Sequence, residues 1–310
     1  MRKKPELLVT AGSAEEVIQF IDAGADAVLV GEAAFGLRLS GDIMIDELAS
    51  LVPLAHERSA QIYVAVNNVF DNEGIAKVED YLKKLAELQV DAVVYGDPAV
   101  LRIVRMHGLQ LRLHWNAEMS VTNYRAANYW AARGAVRAVL ARELNLEEIL
   151  EFKRGAKLEV QVQVHGMTNI YHSKRNLLGN YIEHLGKDAA AIDRSMDNGL
   201  FLIEQERLEE RFPIYEDPNG THVMSSDDVC MLEDLHELLA ADIDSLRIEG
   251  ILKSTEYIET VIRAYRTAID LYAADPDAYS FNEEWLDAIR RLQDPDRELS
   301  FGFFYKEQVY

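Results

Sequence analysis

Cysteine is nearly missing. The 310 residues contain one, Cys230, which excludes an internal disulfide and any thiolate-rich metal cluster built by one chain alone. Cations are scarce beside anions, 32 Lys and Arg against 53 Asp and Glu, giving a net charge of -21. That balance argues against a generally basic nucleic-acid surface, because phosphate contacts need clustered Lys and Arg, although a local basic strip is compatible with it. There is no long apolar run and no basic, apolar, small-residue leader at the N-terminus, so the chain reads as soluble, with cytoplasmic location and no membrane contact expected. Familiar catalytic signatures are missing too. There is no Gly-x-Ser-x-Gly elbow and no P-loop, and His236-Glu237 lacks the second histidine of a zinc-protease helix, which leaves a hydrolase of known catalytic type unsupported.

What is present is a repeating unit. Glu6 to Ala11 (ELLVTA) has strand length and stops at Gly12; Ser13, with Glu16 three residues on, opens a helix that Gly24 closes; Asp26 to Gly31 (DAVLVG) is the next strand. Further strands read from Gln61 to Val66, Asp91 to Gly96, Leu109 to Trp115, Val136 to Ala141 and Glu159 to His165, with helical spacing between them. An eighth, Asp244 to Gly250 (DSLRIEG), is delayed by roughly sixty residues. Within that delay Asp217-Pro218-Asn219-Gly220 is a turn signal between two β-prone runs. The expected fold class is therefore α/β: a parallel (β/α)8-type barrel over 1–272, with an inserted β-hairpin element after strand seven (167–226) and a small C-terminal appendage (273–310). A doubly wound open sheet competes, but no Gly-x-Gly-x-x-Gly turn follows the first strand.

In such barrels the site lies at the C-terminal ends of the strands, which selects Glu32, Asn67, Asp97, His114, Asn116, Glu118, Arg142, Glu143, His165 and Glu249. His165, at a strand end before Gly166, is the leading catalytic candidate, joined by Arg142, Glu143 and Glu249. Asn67, His114 and Glu118 are candidate ligand-binding groups, and no metal is expected. Each has a plainer alternative: Arg142 and Glu143 pairing with one another, His114 as a hydrogen-bonded core histidine, Asn67-Asn68 as a turn.

Four strings, GADAVLVGEAAFGLR, AVLARELNLEEI, LEVQVQVHG and DDVCMLEDLHELLAADIDSLRIEGILKSTEYIETVIRAYRTAID, resemble in order and spacing the collagenase-like peptidase U-32 family, from about Glu6 to Asp270. Members were named as proteases of unknown catalytic type; better-understood branches act in oxygen-independent ubiquinone hydroxylation and in tRNA wobble-uridine 5-hydroxylation, the latter using prephenate. Those branches hold a four-iron, four-sulfur cluster on four cysteines, two of them in a segment resembling HGAMCxxxSGRC. Here Asn169 and Asn176 stand at those two positions, a third cysteine expected within about Gly186 to Asn198 is missing, and Cys230 matches the fourth. Arg175 matches the family arginine and Asn180-Tyr181 its following Asn-Tyr, which adds Arg175 and Tyr181 as ligand-binding candidates.

The resemblance thus implies a member with no cluster and no other cofactor, supporting tRNA hydroxylation beside a longer, cysteine-bearing relative. Such a member would meet tRNA only indirectly or through a complex, and a homo-oligomer is a further partner expectation. The alternatives are a collagenase-like peptidase and a non-catalytic partner subunit. The inserted strands would either pair with another chain or cover the barrel mouth.

Overall fold

The computed structural model describes residues 4–117 and 120–307. Buried, β-branched runs alternate with capped amphipathic helices: β1 (Glu6–Thr10), α1 (Ala14–Ala23), β2 (Ala27–Gly31), α2 (Ile45–Glu57), β3 (Gln61–Val66), α3 (Asn72–Glu87), β4 (Ala92–Tyr95), α4 (Pro98–His107), β5 (Arg112–Trp115), α5 (Tyr124–Ala131), β6 (Ala135–Val139), α6 (Leu146–Gly155) and β7 (Glu159–Gly166). The helix starts are fixed locally, since Ser13, Asp71, Asn123 and Asn145 each accept the amide three residues on. After β7 come β8 (Asn169–Ser173), α7 (Leu177–His184), β9 (Phe201–Glu204), β10 (Arg207–Asp217), β11 (Gly220–Met224) and β12 (Asp228–Cys230). The chain then enters α8 (Leu235–Ala240), β13 (Ser245–Ile248), α9 (Thr255–Ala274), α10 (Glu283–Arg290) and β14 (Leu299–Ser300). β13 pairs in parallel with β1 (Leu8↔Arg247) and also with β7 (Ser245↔Gln161). That double pairing closes an eight-stranded parallel barrel and removes the open-sheet alternative.

The insertion is larger than a hairpin. β10 and β11 do form the expected one, with Asp217 opposite Gly220, but β8 and β9 extend it to a four-stranded antiparallel sheet in the order β8-β11-β10-β9. The strand character of β8 is hidden in the sequence because its residues, Asn169 to Ser173, are polar or exposed on both faces and its register slips against Met224. β12 then returns antiparallel to β7, and β14 pairs with β12, so the C-terminal segment is stitched to the barrel sheet.

Period-two alternation divides the barrel strands between two cores. Outward residues such as Leu7, Val9, Ile62 and Val64 pack beneath the helices, while Leu8, Leu29, Tyr63, Ala65 and Val94 turn into the barrel. The interior is polar on its β5–β7 side. Arg137, buried at the N-terminal end, joins Glu6 at 2.5 Å and Glu159 at 2.8 Å. Glu6 also accepts from Ser245 Oγ at 2.8 Å and from the Tyr63 hydroxyl. This network ties β1, β3, β6, β7 and β13 across the barrel floor.

Two histidines expected at the mouth are core residues instead. His114 lies inside the barrel, fully buried and edge-on to Tyr63 with ring centroids 4.7 Å apart. Burial, then the charges of Arg137 and Arg112, push its pKa well below the ordinary value. His165 points out of the barrel. A bulge skips Val164, so that Gln163 faces Arg247 while His165 pairs with Ile248, whose side chain is outward; the parity of the strand flips at that point. His165 Nε2 meets the Tyr257 hydroxyl at 2.8 Å and Nδ1 lies 3.4 Å from that of Tyr265, both on α9. Burial takes its pKa down to about 3.

Two outcomes are expected. Arg137→Met leaves Glu6 and Glu159 without their buried partner and should destabilise the chain by about 3–5 kcal/mol in a denaturant titration; a change below about 1 kcal/mol would show that the floor network contributes little. His165 stays neutral in the folded chain down to about pH 3 but charges near 6.5 when unfolded. The unfolded state therefore binds more protons across that window, and stability falls on acidification from 6.5 towards 3 by up to about 1.4 kcal/mol per pH unit from this group. Replacing His165 with Gln should flatten the melting-temperature slope between about pH 6.5 and 4. An unchanged slope would contradict the assignment.

Candidate functional site at the barrel mouth

The hairpin tip is clasped over the strand ends. Asn219 Oδ1 accepts from Asn68 Nδ2 at 2.8 Å, and its Nδ2 donates to the carbonyls of Ala33 at 2.9 Å and Gly36 at 3.3 Å. Lys174 Nζ donates to the Val69 carbonyl at 2.5 Å and His172 Nε2 lies 3.1 Å from the Asn219 carbonyl. Between this roof and the barrel lies a cavity of about 80 Å³, large enough for a few waters or a small ligand group. Met167, Asn169 and Met224 line it from above; Leu29, Val94, Val139 and Arg247 make its floor; Arg38 and Ser40 of the β2–α2 loop close one side.

Glu249 is the most constrained polar group there, 5% exposed. Its Oε1 accepts from Thr10 Oγ1 at 2.7 Å and from the Ile251 amide at 3.2 Å, and Oε2 is paired with Arg247. Thr10 Oγ1 in turn accepts from Ser40 Oγ at 3.0 Å and from the Gly250 amide at 2.7 Å. The carboxylate is thus held by β1, β13 and the β2–α2 loop at once. Gly166 must be glycine for this geometry: its φ is +95° and a Cβ would lie 2.3 Å from the Glu249 carbonyl oxygen. Gln163 Nε2 bridges the turn after β7 by donating to the Met167 carbonyl at 2.9 Å. Arg142 Nε sits 3.2 Å from Glu143. Counting Arg38, Arg142 and Arg247 against Glu143 and Glu249, the lining carries one net positive charge in a chain of -21. Such a cavity can accept a small anion by bidentate guanidinium contacts while Glu249 fixes Arg247.

Of the residues expected at the site, Arg142, Glu143, Glu249, Asn67 and Asn116 line this cavity. Asn67 also serves the scaffold, since its Oδ1 accepts the Leu37 amide at 2.9 Å and so places the loop bearing Arg38. His165 and His114 do not line it, for the reasons of parity and depth given above. Arg175 and Tyr181 are exposed on the insertion and do not line this cavity. Glu118 lies outside the described residues. Arg247 went unrecognised although it precedes Glu249 by two residues on one strand and so shares its inward face; Arg38, in a loop without period, offered no such signal.

The residues at the family's cysteine positions do not fit an iron-sulfur cluster. Asn169 Nδ2 donates to the carbonyls of Tyr171 at 3.1 Å and Val223 at 3.3 Å, and Asn176 is exposed before α7. Cys230 is buried on the outer side of the barrel, its sulfur 3.9 Å from the Tyr265 hydroxyl, with burial pushing the thiol up. Two amides cannot replace thiolates. Among the described residues no group of three or more His, Cys, Asp or Glu is placed to hold a metal ion.

Comparisons with known proteins agree with this picture. The Peptidase family U32 model matches residues 12–309. The chain is 47% identical over 309 residues to "tRNA hydroxylation protein P2" of Bacillus subtilis (strain 168), covering 99% of this chain and 100% of that one. It is 32% identical over 314 residues to "tRNA hydroxylation protein P1" of the same organism, covering 99% of this chain and 74% of the relative. The solved structure of the U32 peptidase Mk0906 superposes with a TM-score of 0.50 at 17% identity, over 80% of this chain and 94% of that one, which supports the fold. No helix among the described residues is long and apolar enough to cross a membrane. With closed barrel, inserted sheet and a family match across nearly its whole length, the chain belongs to peptidase family U32.

Proposed function

We propose that this chain supports tRNA wobble-uridine 5-hydroxylation together with a longer, cysteine-bearing family relative, and that its barrel mouth receives a carboxylate group of the anionic co-substrate, prephenate in the family's tRNA branch. The observation that carries the reading is the end-to-end match at 47% identity with a tRNA hydroxylation protein. The mouth supports it chemically: Arg247 and Arg142 carry guanidinium groups suited to a carboxylate, Glu249 keeps Arg247 in place, and the Asn219 clasp holds the insertion over the strand ends. A peptidase reading gains nothing from the site, since among the described residues neither histidine nor cysteine lines the cavity to act as base or nucleophile.

The partner follows from the other half of the chemistry. Three thiolates that the tRNA branch uses are replaced or missing here, and the net charge of -21 opposes RNA binding by this chain alone. In Bacillus subtilis two relatives, P1 and P2, both match this chain, and P1 is the longer. The edge strand β9 offers a contact: Phe201, Leu202 and Ile203 are 42%, 43% and 56% exposed, and Leu208 on the neighbouring β10 is 68% exposed. We infer that a cysteine-bearing relative covers this edge.

Mass spectrometry of tRNA wobble uridines tests the role. Deleting the gene should abolish or strongly lower hydroxylation in a strain without a redundant pathway. Complementation by Arg247→Gln or Glu249→Gln should restore about a tenth or less of the wild-type level at equal protein abundance. Full hydroxylation in the deletion strain would end the proposal. Light scattering tests the partner: the chain mixed with its cysteine-bearing relative should run as a complex, weakened by Ile203→Glu and Leu208→Glu. Separate species in the mixture would contradict it.

A further inference from the structure

A second cavity, of about 260 Å³, lies on the other side of the insertion, where the turn after β13 enters α9 and the C-terminal segment passes. Its floor holds a buried charge cluster. Asp228, fully buried, is contacted by Lys253 Nζ at 2.5 Å, by Arg297 Nη2 at 2.9 Å and by Gln293 Nε2 at 2.6 Å. The Lys253 and Arg297 side chains are only 7% and 5% exposed. Two buried cations therefore share one buried anion, and the second carboxylate acting on Lys253, that of Asp294, stands in solvent at the rim. Burial lowers the Lys253 ammonium's pKa even with Asp228 beside it.

Two further observations point the same way. Among the described residues Arg297 Nη1 is a buried donor without a hydrogen-bond partner, on a side chain that lines the cavity; buried donors in this state are rare and call for an acceptor. Ser254, which also lines it, is the N-cap of the 20-residue α9, and the start of a helix presents backbone N–H groups and the positive end of its dipole to an oxyanion. The opposite wall is apolar, built by Met167, Met196 and Phe201. Asp294 stands exposed at the rim.

We propose that this cavity is a second ligand site, separate from the barrel mouth, which takes an oxyanion carried on a small apolar group: the head against Arg297, Lys253 and the start of α9, the body against Met196 and Phe201. It does not depend on the hydroxylation role. Because the insertion supplies one wall and the C-terminal segment the other, an occupant would hold the two together and couple this site to the clasp over the mouth.

Phenyl phosphate is the probe, with inorganic phosphate as the head alone, titrated calorimetrically into the full chain. Arg297 also anchors the C-terminal segment through the carbonyls of Ser225 and Asp227, so the test alters the apolar wall instead. The wild type should bind phenyl phosphate with a Kd below about 1 mM and inorganic phosphate more weakly. Met196→Glu, which places an anion in the cavity, and Phe201→Ala should each weaken phenyl phosphate by about tenfold or more, while Arg247→Gln at the mouth leaves it unchanged. No saturable binding up to about 10 mM, binding that survives Met196→Glu, or binding lost in Arg247→Gln would each overturn the assignment.

Discussion

The last strand of the barrel comes late, and the rest of the molecule follows from that delay. β13 must slot between β1 and β7 to close the cylinder, yet the chain reaches it only after β8 to β12 and α8 have been built. The intervening residues cannot enter a barrel whose interior is already filled by Tyr63, His114 and the Arg137 network. They leave over the mouth, fold as a separate sheet, and return along β7 as β12. The roof of the mouth cavity, the clasp at Asn219 and the buried Asp228 cluster at the return point are consequences of one topological fact.

Charge placement is the second organising feature. A chain of -21 concentrates guanidinium groups in the places where the backbone converges: Arg137 at the barrel floor, Arg247 and Arg142 at the mouth, Arg297 behind the insertion. Each is held by a carboxylate, and the pairing fixes direction as much as it contributes energy, because a half-satisfied buried ion is worse than none. At the floor Arg137, with Arg112 also paired to Glu159, balances the two carboxylates, and the role is structural. At the mouth the guanidinium groups outnumber the carboxylates, and behind the insertion two buried cations meet one buried anion; there the molecule is suited to receive a negative group.

Much of this was legible from residue patterns. Apolar runs of strand length, some with period two, located all eight barrel strands, and Ser13, with Glu16 three residues on, marked the first helix start by its side chain. The strand-end rule led to Arg142, Glu143 and Glu249 at one cavity. It failed for His165 because a single bulged residue, Val164, inverts the alternation, and a bulge set by pairing with a distant strand leaves no mark in the local pattern. It failed for His114 because a polar residue two positions deeper than the rim is inward yet not at the mouth. β8 was invisible for a related reason: it is a strand by virtue of pairing with β11, fifty residues away, and not by its own composition.

The central claim is that the Arg247–Glu249 pair makes the barrel mouth a receptor for a small carboxylate. Calorimetric titration of the purified chain with prephenate addresses it without requiring the partner or tRNA. Saturable binding that drops by about tenfold or more in Arg247→Gln, and is unaffected by Arg137→Lys at the barrel floor, is the predicted result. Binding that is missing in the wild type, or that persists undiminished in Arg247→Gln, would contradict the account.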